Sequence, residues 1–297
     1  MPALRIQSTN LAVLARRTAL VAACVLHAAG PVHADTAAGL TALRAGDHGR
    51  AYVEFSNSAR AGDATAQFQL GVLLQRGWGT AANLVEAARW YARAAEQGNV
   101  KAQYNLAMLT LRGEGVERDP AAARALLLRA AGQGDVRATR ELGLVYFRGE
   151  GVERDYAQAR EWWERAAKAG DARAAYDLGI LYRRGLGVVR DAHAALDWWQ
   201  RAALAGLPLA QHAVGTAHLN GEGTAPDIVE AWAWFRLAGE AGLEAAQADA
   251  NALHARFDEA TAAAADARLR ERRGQLVVPA DVAGNGRDAG VHSSTSP

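Results

Sequence analysis

Between residues 35 and 273 the chain has two serines, Ser56 and Ser58, and neither sits in the G-x-S-x-G turn that exposes a hydrolase nucleophile. Cys24 is the only cysteine, so neither an intrachain disulfide nor a cysteine-based zinc site can form. His48, His193, His212, His218 and His254 show no H-E-x-x-H or other tight spacing that would aim two imidazoles at one metal ion. No G-x-x-x-x-G-K-[ST] phosphate loop exists, and the many G-x-G pairs lack the third glycine of a dinucleotide site, so they read as turns. The carboxylates form no outstanding pair, and the regular row Asp119, Asp155, Asp191 and Asp227 has the chemistry of helix capping. The residues therefore predict no catalytic site, no cofactor and no metal. What they offer is recognition chemistry, carried by arginine and by aromatic rings.

The 297 residues are 50% hydrophobic, 7% aromatic and 22% charged, with 33 Lys plus Arg against 32 Asp plus Glu. A net charge of +1 excludes a generally basic nucleic-acid binder and an acidic disordered chain. Only Lys101 and Lys168 are lysines, so the basic charge is arginine. Residues 1–34 hold Arg5, Arg16 and Arg17, then the apolar stretch Thr18–Gly30, then Val32-His33-Ala34. A basic region, a short apolar core and small residues at the end predict a secretory signal peptide cleaved after Ala34. Its loss removes Cys24 and leaves 30 basic against 32 acidic side chains, a net −2. The predicted location is periplasmic or secreted. An alternative reads Val21-Ala22-Ala23-Cys24 as a lipoprotein box, which would lipidate Cys24 and give the only membrane contact.

The elements that must position the recognition residues follow from self-similarity. Ala66, Ala102, Ala138, Ala174, Ala210 and Ala246 are each 36 residues apart. The same interval separates Gly77/Gly79, Gly113/Gly115, Gly149/Gly151, Gly185/Gly187 and Gly221/Gly223, and also Gly98, Gly134, Gly170, Gly206 and Gly242. Each copy predicts two helices. The first stops at the G-x-G pair, where glycine permits positive φ. The second starts at Asn83, Asp119, Asp155, Asp191 or Asp227, and Asn83/Glu86, Asp155/Gln158 and Asp227/Glu230 have capping-box spacing. The row Trp90-Tyr91, Leu126-Leu127, Trp162-Trp163, Trp198-Trp199 and Trp234-Phe235 reads as packing between helices, because it recurs in every copy. Domain boundaries are set at 35–65 for an incomplete leading repeat, then 66–101, 102–137, 138–173, 174–209 and 210–245. Capping helices over 246–273 and a disordered tail over 274–297 complete the chain.

The copy Ala138…Leu142-Gly143…Tyr146…Gly149-Glu150-Gly151-Val152…Asp155…Ala159…Trp162…Ala166-Ala167…Gly170 resembles the Sel-one-like repeat (SLR) family. Departures elsewhere are mild: Ala107 for Gly, Thr110 and His218 for Tyr, Leu126 for Trp, Thr80 and Thr224 for Val. The resemblance implies an all-α fold, a right-handed TPR-like α-solenoid of 36-residue helix–turn–helix repeats. It implies a non-catalytic scaffold or adaptor of the bacterial cell envelope that binds another protein and regulates a signalling or secretion complex. Some secreted members with disulfide-stapled repeats act on β-lactams, and this chain lacks those cysteines.

By analogy with tetratricopeptide solenoids, the first helix of each repeat lines a concave groove. Lys101, Arg137 and Arg173 stand at its start, Phe68, Tyr104, Arg140, Tyr176 and His212 along it, and Arg76, Arg112, Arg148, Arg184 and Asn220 at its end. Across the five first-helix windows nine Lys/Arg face only Glu141 and Asp177, a net +7. Such a surface would steer an acidic or extended protein segment. The rival expectation is an ordinary solvated face, its arginines paired to Glu117, Glu153 or neighbouring helices. Trp78, between Gly77 and Gly79, is the expected exposed recognition residue for a cell-wall glycan or peptide. Repeat positions leave the oligomeric state open.

Overall fold

The computed structural model describes residues 32–277, which form fourteen helices and no strand. They are α1 (Val32–Arg44), α2 (His48–Arg60), α3 (Ala64–Arg76), α4 (Leu84–Glu96), α5 (Val100–Arg112) and α6 (Pro120–Gly132) in a first compact unit that ends at Gln133. A second unit holds α7 (Val136–Arg148), α8 (Tyr156–Lys168), α9 (Ala172–Arg184), α10 (Ala192–Leu204), α11 (Pro208–Asn220), α12 (Ile228–Glu240), α13 (Glu244–His254) and α14 (Glu259–Gln275). The expected leader, with Cys24, lies outside the described residues except for its last three positions, which begin α1. The expected tail lies outside them from residue 278 onward.

Caps set the helix ends. Asn83, Asp119, Asp155, Asp191 and Asp227 each accept backbone N–H groups of the following second helix through their side chains. Asp63, Asn99, Asp135 and Asp171 do the same for the first helices, so each repeat starts two residues ahead of its buried alanine. The first glycine of each G-x-G pair ends the first helix in the left-handed conformation, with φ of 68° at Gly77 and 72° at Gly149. The second glycine serves a different purpose. A Cβ at Gly187 would run into Tyr156 at the start of α8, and one at Gly115 into Leu84 at the start of α4. The turn thus lies against the preceding second helix, and glycine is what permits the approach.

Within a repeat, the two helices touch where an aromatic ring lies on a glycine. A Cβ at Gly71 would stand 2.6 Å from the Tyr91 ring, and Gly215 meets Phe235 in the same way. Trp163 covers Gly143 and Trp199 covers Gly179 more closely still. The second repeat has Ala107 in place of glycine, and opposite it Leu127 in place of a ring; both are fully buried. The two departures compensate each other. The leading segment uses the same device, with Phe55 on Gly39, so it contains both helices of a pair and lacks only the G-x-G turn. In three of the dipeptides the other aromatic is half-buried, and its ring carries the arginine three residues on: Arg93 over Trp90 at 4.5 Å, Arg165 over Trp162 at 4.6 Å and Arg201 over Trp198 at 4.4 Å; Trp234 is instead buried, with Arg272 5.9 Å from its ring centre.

At the C-terminal end α14 folds back on α12 through one buried carboxylate. Glu230, 2% exposed, accepts hydrogen bonds from Trp234 Nε1, Arg268 and Arg272. Burial alone would raise its pKa, but the bonds from Arg272 and Arg268 outweigh it and hold Glu230 below the usual carboxylate range. Its side chain is therefore committed to this clamp and not to a capping box.

Candidate partner-binding face

The expected residues fall on α3 and α5 of the first unit and on α7, α9 and α11 of the second. Lys101, Arg137 and Arg173 are exposed at the helix starts, and Arg76, Arg112, Arg148, Arg184 and Asn220 are exposed at the ends. Arg137 lies 3.1 Å from Asp135, Arg148 3.4 Å from Glu150 and Arg112 3.9 Å from Glu114. The partners of Arg112 and Arg148 are thus the middle residues of the turns and not Glu117 and Glu153. The left-handed glycine between them turns the chain back beside the arginine two positions earlier. Such solvent-exposed pairs contribute about 0–1 kcal/mol and yield readily to a competing carboxylate. Among the described residues, Lys101, Arg173 and Arg184 enter no ion pair.

Two expectations are corrected by neighbours that the repeat register does not reveal. Trp78 is half-buried and not an exposed recognition residue, because the ring of His48 stacks on it at 4.7 Å with an interplanar angle of 3°. The Arg76 guanidinium also lies 4.6 Å from the centre of its ring. Arg140 is not a groove cation. It lies 2.7 Å from Glu141 and 3.5 Å from Asp171, and its field also reaches Asp177. Burial pushes the Asp177 carboxyl up to about 6 even though Arg140 opposes the rise.

His212 is likewise engaged within the fold. It lies 2.8 Å from the Asp249 carboxylate on α13 and packs its ring 5.1 Å from that of Phe235. Phe68 lies 5.9 Å from Tyr91, a packing contact, and Tyr104 is half-buried on α5. His48 and His254 contact aromatic rings, His193 is exposed and His218 is half-buried with both ring nitrogens enclosed, and among the described residues no group of three His, Cys, Asp or Glu could hold a metal ion.

One place gathers three expected residues. Tyr176, Arg184 and His212 line a cavity of about 280 Å³ between α9 and α11. Trp199, 4% exposed, belongs to its lining and is fixed by a hydrogen bond from Nε1 to the Tyr176 carbonyl at 3.2 Å. Burial, reinforced by Asp177, raises the Tyr176 phenol above its ordinary range, so it stays a neutral donor there. Arg183 reaches 5.6 Å from the Trp199 ring and 3.9 Å from Glu222. Leu209, 51% exposed, stands at the rim. Arg183, Trp199, Leu209 and Glu222 were not among the expected site residues. Leu209 had a signal, as the apolar member of the row Thr65, Lys101, Arg137, Arg173 and Leu209.

A family model described as Sel1 repeat matches residues 64–99, 100–135, 136–171, 172–207 and 208–243. Its segments begin at the first residues of α3, α5, α7, α9 and α11, two residues ahead of the alanine register. Among solved structures, a protective antigen of uropathogenic Escherichia coli strains displaying an SLR fold is similar, with a TM-score of 0.69 and 32% identity. That likeness covers 84% of this chain and 53% of the other, so the chain spans about half the length of the antigen. A Sel1 repeat protein from Oxalobacter formigenes is similar with a TM-score of 0.65 and 29% identity, over 70% of this chain and 85% of that one. No curated protein matches the chain. Sel1 repeat proteins are α-solenoids that generally serve as protein–protein interaction scaffolds and are typically non-catalytic. With five consecutive repeats covering more than half of its length, the chain belongs to the Sel1 repeat family.

Proposed function

We propose that the protein is a scaffold of the bacterial cell envelope that captures an acidic, extended segment of another protein on its first-helix face. The observation that carries this reading is the convergence of Tyr176, Arg183 and Arg184 on one cavity, with Arg184 held by no ion pair among the described residues. A cation without an internal partner keeps its full attraction for an incoming carboxylate, and an adjacent ring supplies apolar contact at small entropic cost. The exposed pairs at Arg112 and Arg148 leave those cations available along the same helix row of each unit. The leader, with Arg5, Arg16 and Arg17 ahead of Thr18–Gly30, supports delivery to the periplasm or beyond. Control of a signalling or secretion complex fits a protein of this kind in that compartment.

A photo-crosslinking amino acid at Lys101 or Arg173 tests the reading in intact cells. The expected result is a discrete adduct with another protein, lost when Arg112, Arg148 and Arg184 are changed to Glu, while the helical signal of the variant stays unchanged. Adducts absent at both positions, or unaffected by charge reversal, overturn it.

A further inference from the structure

The cavity between α9 and α11 has an origin in the repeat register. At one first-helix position successive repeats carry Gln69, Asn105, Glu141 and Asp177, and the fifth carries Ala213. Three residues on they carry Val72, Met108, Leu144 and Ile180, and the fifth carries Thr216. Both shortened side chains line the cavity. The space lies where α11 carries Ala213, smaller than each of its counterparts, and Thr216, smaller than Met108, Leu144 and Ile180 and matched in size only by Val72. The turn after α9 also lacks an acid: Leu186 stands where Glu114 and Glu150 pair with Arg112 and Arg148, which leaves Arg184 without that counter-charge. The walls are mixed in a consistent way. Ile180, Trp199 and Leu209 are apolar, and Arg183 and Arg184 supply positive charge against Glu222 alone, because His212 is bound to Asp249.

We propose that this cavity is the anchor site for one large apolar side chain of the partner segment, with a side-chain carboxylate next to that residue paired to Arg184. The assignment rests on the scaffold reading above and adds the chemistry of the motif. At about 280 Å³ the space falls just below the roughly 300–1,000 Å³ of small-molecule sites and suits one side chain. A buried apolar anchor ringed by polar contacts is how a few residues dominate a protein interface. Charge complementarity selects the flanking group: among the described residues Arg184 has no carboxylate partner, and the one near Arg183 is 3.9 Å away and exposed.

The test uses the full mature chain and an amidated, fluorescein-labelled peptide carrying one leucine between two glutamates, read by fluorescence anisotropy. Replacing the peptide leucine by alanine, or its glutamates by glutamines, is expected to weaken binding at least tenfold. Ala213→Gln and Thr216→Ile restore residues of the types that other repeats hold at these positions, so the fold keeps its packing while the cavity closes; each is expected to weaken binding about tenfold. Arg184→Glu has the same effect, and Arg165→Glu, on the second-helix face, leaves binding unchanged.

No binding by the wild-type chain, equal binding after Ala213→Gln and Thr216→Ile, or indifference to the peptide leucine overturns the assignment. Binding only by a free-acid version of the peptide also overturns it, since the carboxylate would then come from a chain end. An adduct at Arg173 that persists in Ala213→Gln cells would sink the anchor while leaving the scaffold reading standing. Loss of all adducts in wild-type cells would sink that reading itself.

Discussion

The second unit presents two first-helix arginines, Arg140 from the row along the helix and Arg184 from the row at its end, with opposite outcomes. On α7 and α9, Arg140 is enclosed by Glu141, Asp171 and the field of Asp177, and its charge is spent inside the molecule. On α9 and α11, Ala213 opens the wall, Leu186 replaces the turn glutamate that pairs with Arg112 and Arg148, and Arg184 faces a cavity with no ion pair among the described residues. A count of charges along the helices treats the two places alike. The difference teaches that a cation becomes a recognition group where its own turn withholds the acid that its counterparts find at Glu114 and Glu150. Substituting the two arginines should break this comparison most sharply. Arg140→Ala leaves Glu141, 7% exposed, and Asp177 crowded without their cation, and should cost about 3 kcal/mol. Arg184→Ala should stay within about 0.5 kcal/mol. Urea unfolding of both variants checks this, and equal losses would erase the distinction.

Acidity separates the two places next. The Asp177 carboxyl is raised from its ordinary value to about 6 by burial, with Asp171 and Glu141 adding to the rise and Arg140 opposing it. The folded state therefore holds a proton that the unfolded chain releases between pH 3.8 and about 6. The destabilisation from this group is fully present above about pH 6 and fades as pH falls through that window. Asp177→Asn should accordingly be more stable than wild type at pH 7, and the gap should narrow toward pH 4. Stability curves of the two proteins at several pH values test the sign. A gap that widens on acidification would show that Arg140 holds Asp177 as a true ion pair. Position 213 on α11, an alanine, adds no such window of its own.

Both places rest on the same contact of ring and glycine, and this sets the third expectation. A Cβ at Gly179 would meet the Trp199 indole, which also lines the cavity. Gly179→Ala should cost about 1–3 kcal/mol through overpacking. The second repeat shows the remedy in Ala107 and Leu127. Trp199→Leu added to Gly179→Ala should recover about 1 kcal/mol relative to the sum of the single changes, a coupling that a double-mutant cycle measures. Strict additivity would mean that the two departures in the second repeat are unrelated.

The degree to which the sequence announces these features follows their physics. Alanines at closest helix approach, glycines at positive φ and caps at helix starts each answer a local demand met five times, so spacing alone exposes them. The first-helix caps Asp63, Asn99, Asp135 and Asp171 obey the same rule. Ion pairing does not. Arg112 and Arg148 take Glu114 and Glu150 because the glycine between turns the chain back, and Arg140 takes Asp171 from the turn before the next helix. Those choices depend on side-chain direction, which periodicity does not carry. Trp78 stands apart from its row because His48 at the start of α2 happens to offer a ring. The cavity lies between these cases: Ala213 and Thr216 are visibly small in register, but they mark a space only once Trp199 and Ile180 are seen to wall it.

The smallest expected effect sharpens that last point. Thr216 donates its hydroxyl to the His212 carbonyl within its own helix at 2.9 Å, a local bond that adds little to a helix. Thr216→Ile replaces the hydroxyl by apolar atoms that lie against Ile180 and Trp199 in the cavity. Burying one or two further methylene-sized groups at about 0.8 kcal/mol each, discounted for the open side, predicts a gain of about 0.5 kcal/mol. The variant should thus be slightly more stable in urea while losing the acidic peptide. Higher stability with weaker binding is the pattern of a space kept open for a partner. Lower stability would instead mean that Thr216 is required by the packing of α11, and the likeness between its position and those of Val72, Met108, Leu144 and Ile180 would then be one of spacing alone.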